Sequence, residues 1–536
     1  MVRHICLGDS LDQAADRWNG RIGWIFDSQR ISFREMRTRT DEVARALLAS
    51  GIGKGDVVAI WTSNRPEYVY CLMACAKIGA ILTAINTRSR SFEVEHTLEH
   101  SRARILFRLD GFLKMDFKEI LGSVCSSGDI GPEGVVASRK FSQLQLIVSL
   151  SQADTGDAVP WAEFLARASA VSQAELLAIQ KKQECRDPVI LQYTSGTTAR
   201  PKGALLNHLY ACNFGVDTVR RLHVQEGEAL LNTQPFYHTG GGLGGVCVPL
   251  TIGNCTVIPE FYEAERVLAL IEREKCVART GFGAMYLMEM EHPNFRKYDL
   301  SSIRAAWCLA PPEVMQRVQA EMKIPAVLQL YGSTEGGGTA GDIRDSPHHR
   351  IHSCGRPVDG VEIGVRDPES GQTLPAGSAG EIVTRGWWQM NEYLGQPDAT
   401  RAVLDPDGWV RTGDRGYLDE QGYLFLLGRI KNMMKVGGEN VSAEEVEAML
   451  LQHPKVKVVL AVGVPDKRLN EVVMAIVELK KHCDATPDEL IAFCAQRMAN
   501  FRVPRHIRFV DEWPLTGSGK IERHTVRQQF VDTVTA

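Results

Sequence analysis

With 536 residues, 44% of them hydrophobic and 24% charged, the chain has apolar material for at least two domains and a large core. A formal net charge of -4 lacks the basic balance that nucleic-acid binding brings, which argues against a nucleic-acid partner. The 13 cysteines are scattered, odd in number and without a CxxC pair, which argues against a disulfide framework or a zinc site and fits buried thiols in a reducing cytoplasm.

The first residues, MVRHICLGDSLDQAADRW, contain no continuous apolar run, so no secretory leader is expected. Residues 56–61 read as a strand. Ser63 to Glu67 read as a helix start with Pro66 in the first turn, and residues 80–85 as the next strand. This β-α-β order predicts a parallel sheet covered by helices. Residues 71–85, CLMACAKIGAILTAI, are the longest apolar stretch, but Lys77 and Gly79 interrupt it. It reads as a buried helix and a strand, not a transmembrane segment. Residues 122–156 are rich in Ser, Gly and Asp and read in part as a surface excursion.

The apolar run Val189-Ile190-Leu191 is followed by YTSGTTARPKG at 193–203. A strand ending in such a loop presents backbone N–H groups to an anion. Thr194, Ser195, Thr197 and Thr198 add hydroxyl donors, Lys202 adds a point charge, and Gly196 permits close backbone approach. The composition suits a triphosphate, although the GxxxxGK[ST] pattern of a P-loop is absent. By itself such a loop is more often a solvated linker.

Beyond residue 430 lies a segment of about 105 residues, the size of a small domain. Ser442 and Glu445 have capping-box spacing ahead of Val446, Met449 and Leu450. Strands are predicted over 456–464 and 472–479. Thr486, Pro487 and Glu489 open another helix, with Leu490, Phe493 and Cys494 on its inner face. Glu445 and Glu489 read as capping residues rather than catalysts.

Seven segments in order, YTSGTTARPKG, Pro235-Phe236-Tyr237-His238, Tyr331-Gly332-Ser333-Thr334-Glu335, residues 380–386 (GEIVTRG), 411–414 (RTGD), 428–431 (GRIK) with 437–441 (GGENV), and 514–520 (PLTGSGK), resemble the motifs of the adenylate-forming superfamily. That superfamily includes acyl-CoA synthetases, adenylation domains of peptide synthetases and firefly-type luciferases. The resemblance covers residues 193–520. It implies an α/β fold: a large N-terminal AMP-binding domain over 1–430, made of α/β subdomains with parallel-rich sheets, and a small mobile α+β C-terminal lid over 431–536.

The same resemblance implies roles. Thr194, Ser195, Gly196, Thr197, Thr198 and Lys202 would hold the β- and γ-phosphates of ATP. Tyr331 and Gly332 would lie along adenine, Thr334 would donate to the α-phosphate, and Glu335 would bind Mg²⁺. Asp414 would accept from the ribose hydroxyls, and Arg429 would reach ribose or phosphate. Lys520 would be the adenylation catalyst, stabilising charge that spreads over the α-phosphate as the substrate carboxylate attacks. Lys431 would be the hinge, and Gly437 and Gly438 would line the CoA pantetheine tunnel. His238 would gate the acyl site or polarise the carbonyl, or it packs beside Gly240-Gly241-Gly242.

Two departures from the family pattern stand out. Ala199 replaces a glycine in the phosphate loop. Trp307-Cys308-Leu309-Ala310-Pro311 replaces an S-G-G-A-P segment, so Cys308 and Leu309 are expected to narrow or redirect the acyl pocket. Phe236, Met285 and Gly337 are further pocket candidates, with ordinary core packing equally open. The resemblance thus implies an ATP- and Mg²⁺-dependent acyl-CoA synthetase for a fatty or other hydrophobic carboxylic acid. Its alternatives are an acyl-AMP ligase loading a separate carrier protein, a luciferase-like oxidase and a non-catalytic nucleotide-binding homologue. A homodimer and a carrier protein stay open as partners.

Overall fold

Pro66 and Gly79 bound the first crossover as their chemistry requires. Strand Val57–Trp61 leads into helix Pro66–Ile78, with Pro66 in its first turn and Gly79 closing it in the left-handed region at φ 77°. Strand Ile81–Ala84 then pairs parallel to Val57–Trp61. Lys77, which breaks the apolar pattern, is buried with its ammonium 2.6 Å from both Asp12 and Asp41. The computed structural model describes residues 2–126, 128–131, 134–151, 156–194, 201–436, 439–466, 469–498, 500–515 and 521–531, without the side chains of 431, 435, 439, 440, 470, 524 and 531.

The chain divides into two units, residues 1–362 with 384–410, and residues 363–383 with 411–536. The first holds two large sheets. One has eight strands in the order Glu392–Tyr393, Lys202–Asn207, Pro188–Thr194, Ile81–Ala84, Val57–Trp61, Ile105–Arg108, Leu146–Ser149 and Val159–Pro160. The other has seven, in the order Ala326–Leu328, Ala305–Leu309, Ala278–Phe282, Ala229–Asn232, Cys255–Ile258, Ile22–Phe26 and Gln29–Ser32. Only the pairings of Lys202–Asn207 with its two neighbours and of Ile22–Phe26 with Gln29–Ser32 are antiparallel. Strands such as Val57–Trp61 and Leu146–Ser149 are buried along their whole length and apolar but for Ser149, as a sheet covered on both faces demands. Residues 146–149 therefore belong to the core, which trims the surface excursion read over 122–156.

The second unit is α+β. Strands Glu439–Ser442, Met433–Val436, Asn470–Leu479 and Val456–Asp466 form a sheet, and His506–Phe509 pairs parallel to Asn470–Leu479. Helices Ala443–Leu451 and Pro487–Ala495 pack on a core that includes Val446, Leu450, Leu490 and Cys494. The Thr486 hydroxyl accepts from the Glu489 N–H at 3.2 Å, as read. The capping box at Ser442 does not form. Its hydroxyl instead donates to the Leu427 carbonyl at 2.8 Å and to Glu444 at 2.9 Å, while Glu445 faces Arg502 at 3.5 Å. A competing carbonyl on the neighbouring strand Leu424–Arg429 has taken the capping group. The Glu489 carboxylate pairs with Lys455 at 2.8 Å.

Helix His208–Arg221 buries two titratable groups with opposite consequences. Desolvation, only partly offset by Arg221 and Arg220, lifts Asp217 from 3.8 to about 6. Desolvation lowers His208 from 6.5 to about 4. A raised carboxyl destabilises the fold once ionised, so this cost appears as pH rises from about 4 to about 6. A depressed imidazole contributes stability above about 6.5 that is lost as pH falls toward about 4. The two trends oppose each other, so a substitution at Asp217 isolates its own. Asp217→Asn is expected to stabilise the protein by about 3 kcal/mol at pH 7 and by little at pH 4, read from urea denaturation at both pH values.

Candidate active site

The strands that flank the hydroxyl-rich segment pair with each other. Strands Pro188–Thr194 and Lys202–Asn207 pair antiparallel, with Tyr193 opposite Gly203 and Thr194 opposite Lys202. Thr194 and Lys202 are therefore strand ends rather than loop residues. Their cross-strand pairing extends the sheet beyond the apolar run at 189–191. Ser195, Gly196, Thr197, Thr198 and Ala199 lie outside the described residues.

Lys202 points its ammonium at the ring of Tyr393, 5.0 Å from the centroid. Tyr393 comes from the short strand Glu392–Tyr393, which adds to the edge of Lys202–Asn207 with Tyr393 opposite Ala204. Its hydroxyl donates to Glu335 Oε1 at 2.7 Å, and the Met390 N–H donates to the Glu335 carbonyl at 3.0 Å. Lys202 and Glu335, predicted from segments more than a hundred residues apart, are thus joined through one tyrosine. Sequence reasoning missed Tyr393. The available signal was the aromatic density of residues 387–393, WWQMNEY.

Glu335 and Thr334 occupy the tip of a second hairpin. Strand Leu330–Gly332 pairs antiparallel with Gly337–Ala340. Ser333 closes the turn, its N–H and hydroxyl both donating to the Gly336 carbonyl at 2.7 and 2.9 Å. Tyr331 is buried in the strand. A Cβ on Gly337 would collide with Gly332 Cα and crowd Trp388, so close packing of the hairpin on itself explains this glycine, not pocket space. Magnesium usually takes one or two protein carboxylates and completes its shell with water and substrate phosphates. No group of three or more His, Cys, Asp or Glu forms a cage among the described residues. A single half-buried carboxylate at a hairpin tip, with one oxygen steadied by Tyr393, fits that donor set.

The turn Pro235 to His238 is tied to the first hairpin, because Gln192 Nε2 donates to the Tyr237 carbonyl at 2.7 Å. His238 is half-buried, with its ring 5.0 Å from that of Tyr237, and its carbonyl accepts from Gly242 N–H at 2.7 Å. Phe236 is only 2% exposed, 4.8 Å from the ring of Tyr68, and packs as core rather than lining a pocket.

The pair Cys308 and Leu309 is split by strand geometry. They face Gly281 and Phe282 on the neighbouring strand, and successive side chains point to opposite faces. Cys308 enters the core with Tyr286, Met290 and Met315, and burial pushes its thiol up to about 12. Leu309 is half-buried on the other face. The two therefore cannot narrow one pocket together. Met285, half-buried, accepts from the Thr233 hydroxyl at its sulfur, 3.4 Å away, and its carbonyl accepts from Tyr262 at 2.6 Å.

In the second unit Asp414 and Arg429 face each other across antiparallel strands, joined by an ion pair of 2.6 Å. Asp414 is buried, whereas the Arg429 side chain is 45% exposed. The backbone of Lys431 lies in the turn Ile430–Asn432. The Lys431 side chain, Gly437, Gly438 and Lys520 lie outside the described residues.

A large unit of two parallel-rich sheets with a small α+β unit, and motifs in this order, define an adenylate-forming enzyme. The chain belongs to the AMP-binding enzyme family: the family profile matches residues 11–394, and that of the AMP-binding enzyme C-terminal domain matches residues 445–520. It is an ATP-utilising enzyme of the acyl-CoA synthetase type. The protein YngI of Bacillus subtilis (strain 168) is 32% identical over 536 residues, 99% of this chain and 98% of that protein. The mitochondrial medium-chain acyl-CoA ligase ACSF2 of Danio rerio is 32% identical over 529 residues, 97% of this chain and 87% of that protein. The crystal structure of ATP-bound MatB from Rhodopseudomonas palustris shares the fold, with a TM-score of 0.85 and 23% identity over 99% of this chain and 100% of that one. Among the described residues no helix is long and apolar enough to cross a membrane.

Proposed function

We propose that the protein activates a fatty or other hydrophobic carboxylic acid with ATP and passes the acyl group to CoA. The observation that carries this reading is the cluster in which Lys202, Tyr393 and Glu335 meet beside the stem of the hydroxyl-rich hairpin. The name of the Danio rerio relative, a medium-chain acyl-CoA ligase, favours an aliphatic acid.

In the first half-reaction a carboxylate oxygen attacks the α-phosphorus, the bond to the bridging oxygen of the β-phosphate breaks, and pyrophosphate leaves. Residues 194–202 hold the β- and γ-phosphates, Thr334 donates to the α-phosphate, and Tyr331 with Gly332 flanks adenine. Magnesium, held by Glu335, would neutralise phosphate charge. Asp414 accepts from the ribose hydroxyls while Arg429, released from part of its pairing, reaches ribose or phosphate. Lys520 stabilises charge at the α-phosphate. In the second half-reaction the CoA sulfur attacks the acyl carbon, its proton passes to solvent, and AMP leaves. We assign this step to a swing of residues 431–536 against 1–430 about Lys431, which withdraws Lys520 and brings Gly437 and Gly438 beside pantetheine. His238, Met285 and Leu309 are assigned to the acyl side.

The test is thioester formation and AMP release across short, medium, long, branched, cyclic and aryl acids, with CoA and then with a holo-carrier protein as acceptor. CoA thioesters of aliphatic acids are expected, and Leu309→Gly is expected to shift the chain-length preference. Turnover with the carrier alone would replace CoA as acceptor. Absence of pyrophosphate exchange with every acid would make the protein a non-catalytic nucleotide binder. Unchanged chain-length preference in Leu309→Gly would remove Leu309 from the pocket.

A further inference from the structure

The phosphate hairpin outruns the sheet that supports it. Strand Pro188–Thr194 meets Ile81–Ala84 only where Ile190 faces Leu82, and the last tie on that side is Thr83 Oγ1 donating to the Leu191 carbonyl at 2.9 Å. From there to Thr194 the strand has its hairpin mate but, among the described residues, no second sheet neighbour. Another element must hold the stems at Tyr193 and Pro201.

Helix Ser91–Ser101 does so with two histidines one turn apart, His96 and His100. His96 is buried, and its Nε2 lies 2.9 Å from the Pro201 carbonyl. A carbonyl only accepts, so this nitrogen carries the proton. His100 Nδ1 hydrogen-bonds the Tyr193 hydroxyl at 2.9 Å. The two imidazoles flank the Tyr193 ring, with centroids 5.9 and 5.7 Å away, both edge-on. The chain leaves this brace at Tyr193 and returns to it at Pro201, so both stems of the segment 194–200 are held from one helix face. The brace continues outward: Leu394 N–H donates to the Gly203 carbonyl at 2.8 Å, next to the Tyr393 that joins Lys202 to Glu335.

We propose that His96 and His100 are positioning residues for ATP. They set the phosphate hairpin in register with Lys202 and Glu335 without touching the reacting atoms. The proposal rests on the reading that residues 194–202 hold the β- and γ-phosphates. It places the effect in one half-reaction, because pyrophosphate has left before CoA attacks.

The experiment separates the two halves. Pyrophosphate exchange is measured against ATP concentration, and thioester formation is measured from CoA and the purified acyl-adenylate of the best acid in the panel. His96→Ala is expected to raise the KM for ATP about tenfold, as loss of a buried hydrogen bond to a loop stem implies, and to leave thioester formation from the acyl-adenylate within about twofold of the wild type. His96→Gln, whose amide nitrogen reaches the same carbonyl, is expected to recover most of the ATP affinity. Tyr193→Phe removes only a hydroxyl and opens no cavity. It is expected to show the same split at about threefold, which keeps the test valid if His96→Ala folds poorly. An unchanged KM for ATP in His96→Ala and Tyr193→Phe overturns the proposal, as does an equal fall in both half-reactions. A wild type that forms thioester from the acyl-adenylate but does not exchange pyrophosphate overturns the phosphate-site reading and this proposal together.

Discussion

Replacing Glu289 by alanine is expected to destabilise the larger unit by about 3–5 kcal/mol, the cost of leaving a buried charge without its partner. Arg279, on strand Ala278–Phe282, and Glu289, on helix Gly283–Met290, are both 0% exposed. They form a two-pronged ion pair, with Arg279 Nη2 donating to Glu289 Oε1 at 2.8 Å and Nη1 to Oε2. The guanidinium also lies 4.0 Å from the centre of the Tyr286 ring, and the Tyr262 hydroxyl donates to Glu289 at 3.3 Å. Burial works against the charge on Arg279, and Glu289 more than restores it, so the guanidinium stays charged. Removing the carboxylate strands that charge in a core shared with Tyr286, Met290 and Cys308. Replacing both residues, as in Arg279→Met with Glu289→Leu, is expected to cost far less, because no charge is then left alone. Urea denaturation of the two variants decides the matter. A loss below about 1 kcal/mol for Glu289→Ala would show that the pair contributes nothing to stability beyond a surface bridge.

The parts of this protein that local chemistry controls could be read before any coordinates existed. Pro66, Gly79 and the apolar runs around them specify strand, crossover and parallel pairing, and the structure places each where expected. The Thr486 cap formed as read, its hydroxyl accepting from the Glu489 N–H. Ser442 failed as a capping box because a carbonyl fifteen residues earlier, at Leu427 on a strand of another sheet, came within reach only through tertiary packing. The active site divides along the same line. The motif resemblance proposed Thr194, Lys202, Thr334, Glu335, Asp414 and Arg429, and the fold joins Lys202 to Glu335 through Tyr393 and pairs Asp414 with Arg429. Tyr393, which makes the first of these junctions, escaped notice because its role arises from an edge strand added in register by a distant segment. Cys308 and Leu309 looked alike in sequence, and only the pleat of a strand already paired with Ala278–Phe282 separates core from the opposite face. Phe236 and Gly337 show the same limit. Their neighbours Tyr68 and Gly332 are set by tertiary packing.

Lys520→Ala is expected to slow formation of the acyl-adenylate by about 10²–10³-fold, the usual cost of removing one preorganised charge or donor from a developing oxyanion. It is expected to leave thioester formation from supplied acyl-adenylate within about threefold of the wild type. The asymmetry follows from where charge appears. Attack on the α-phosphorus spreads negative charge over its non-bridging oxygens, and an ammonium there stabilises the transition state more than bound ATP. Attack of sulfur on the acyl carbon develops charge on a different oxygen, so the same lysine has nothing to do. The described residues flanking 516–520 are held in place. Leu515 and Ile521 form an antiparallel bridge, and Ile521 packs against the core that holds Val526. Arg523, three residues on, is 2.6 Å from Glu447, whose other oxygen accepts from the Ala461 N–H at 2.8 Å. Burial raises Glu447, and Arg523 works to keep it ionised. The described residues on either side of 516–520 are thus held to the core of the smaller unit. Lys520→Arg keeps the charge but changes its shape, and is expected to recover only part of the rate. If Lys520→Ala forms acyl-adenylate at the wild-type rate, or loses both half-reactions equally, the lysine is not the adenylation catalyst and the proposed swing of residues 431–536 falls with it.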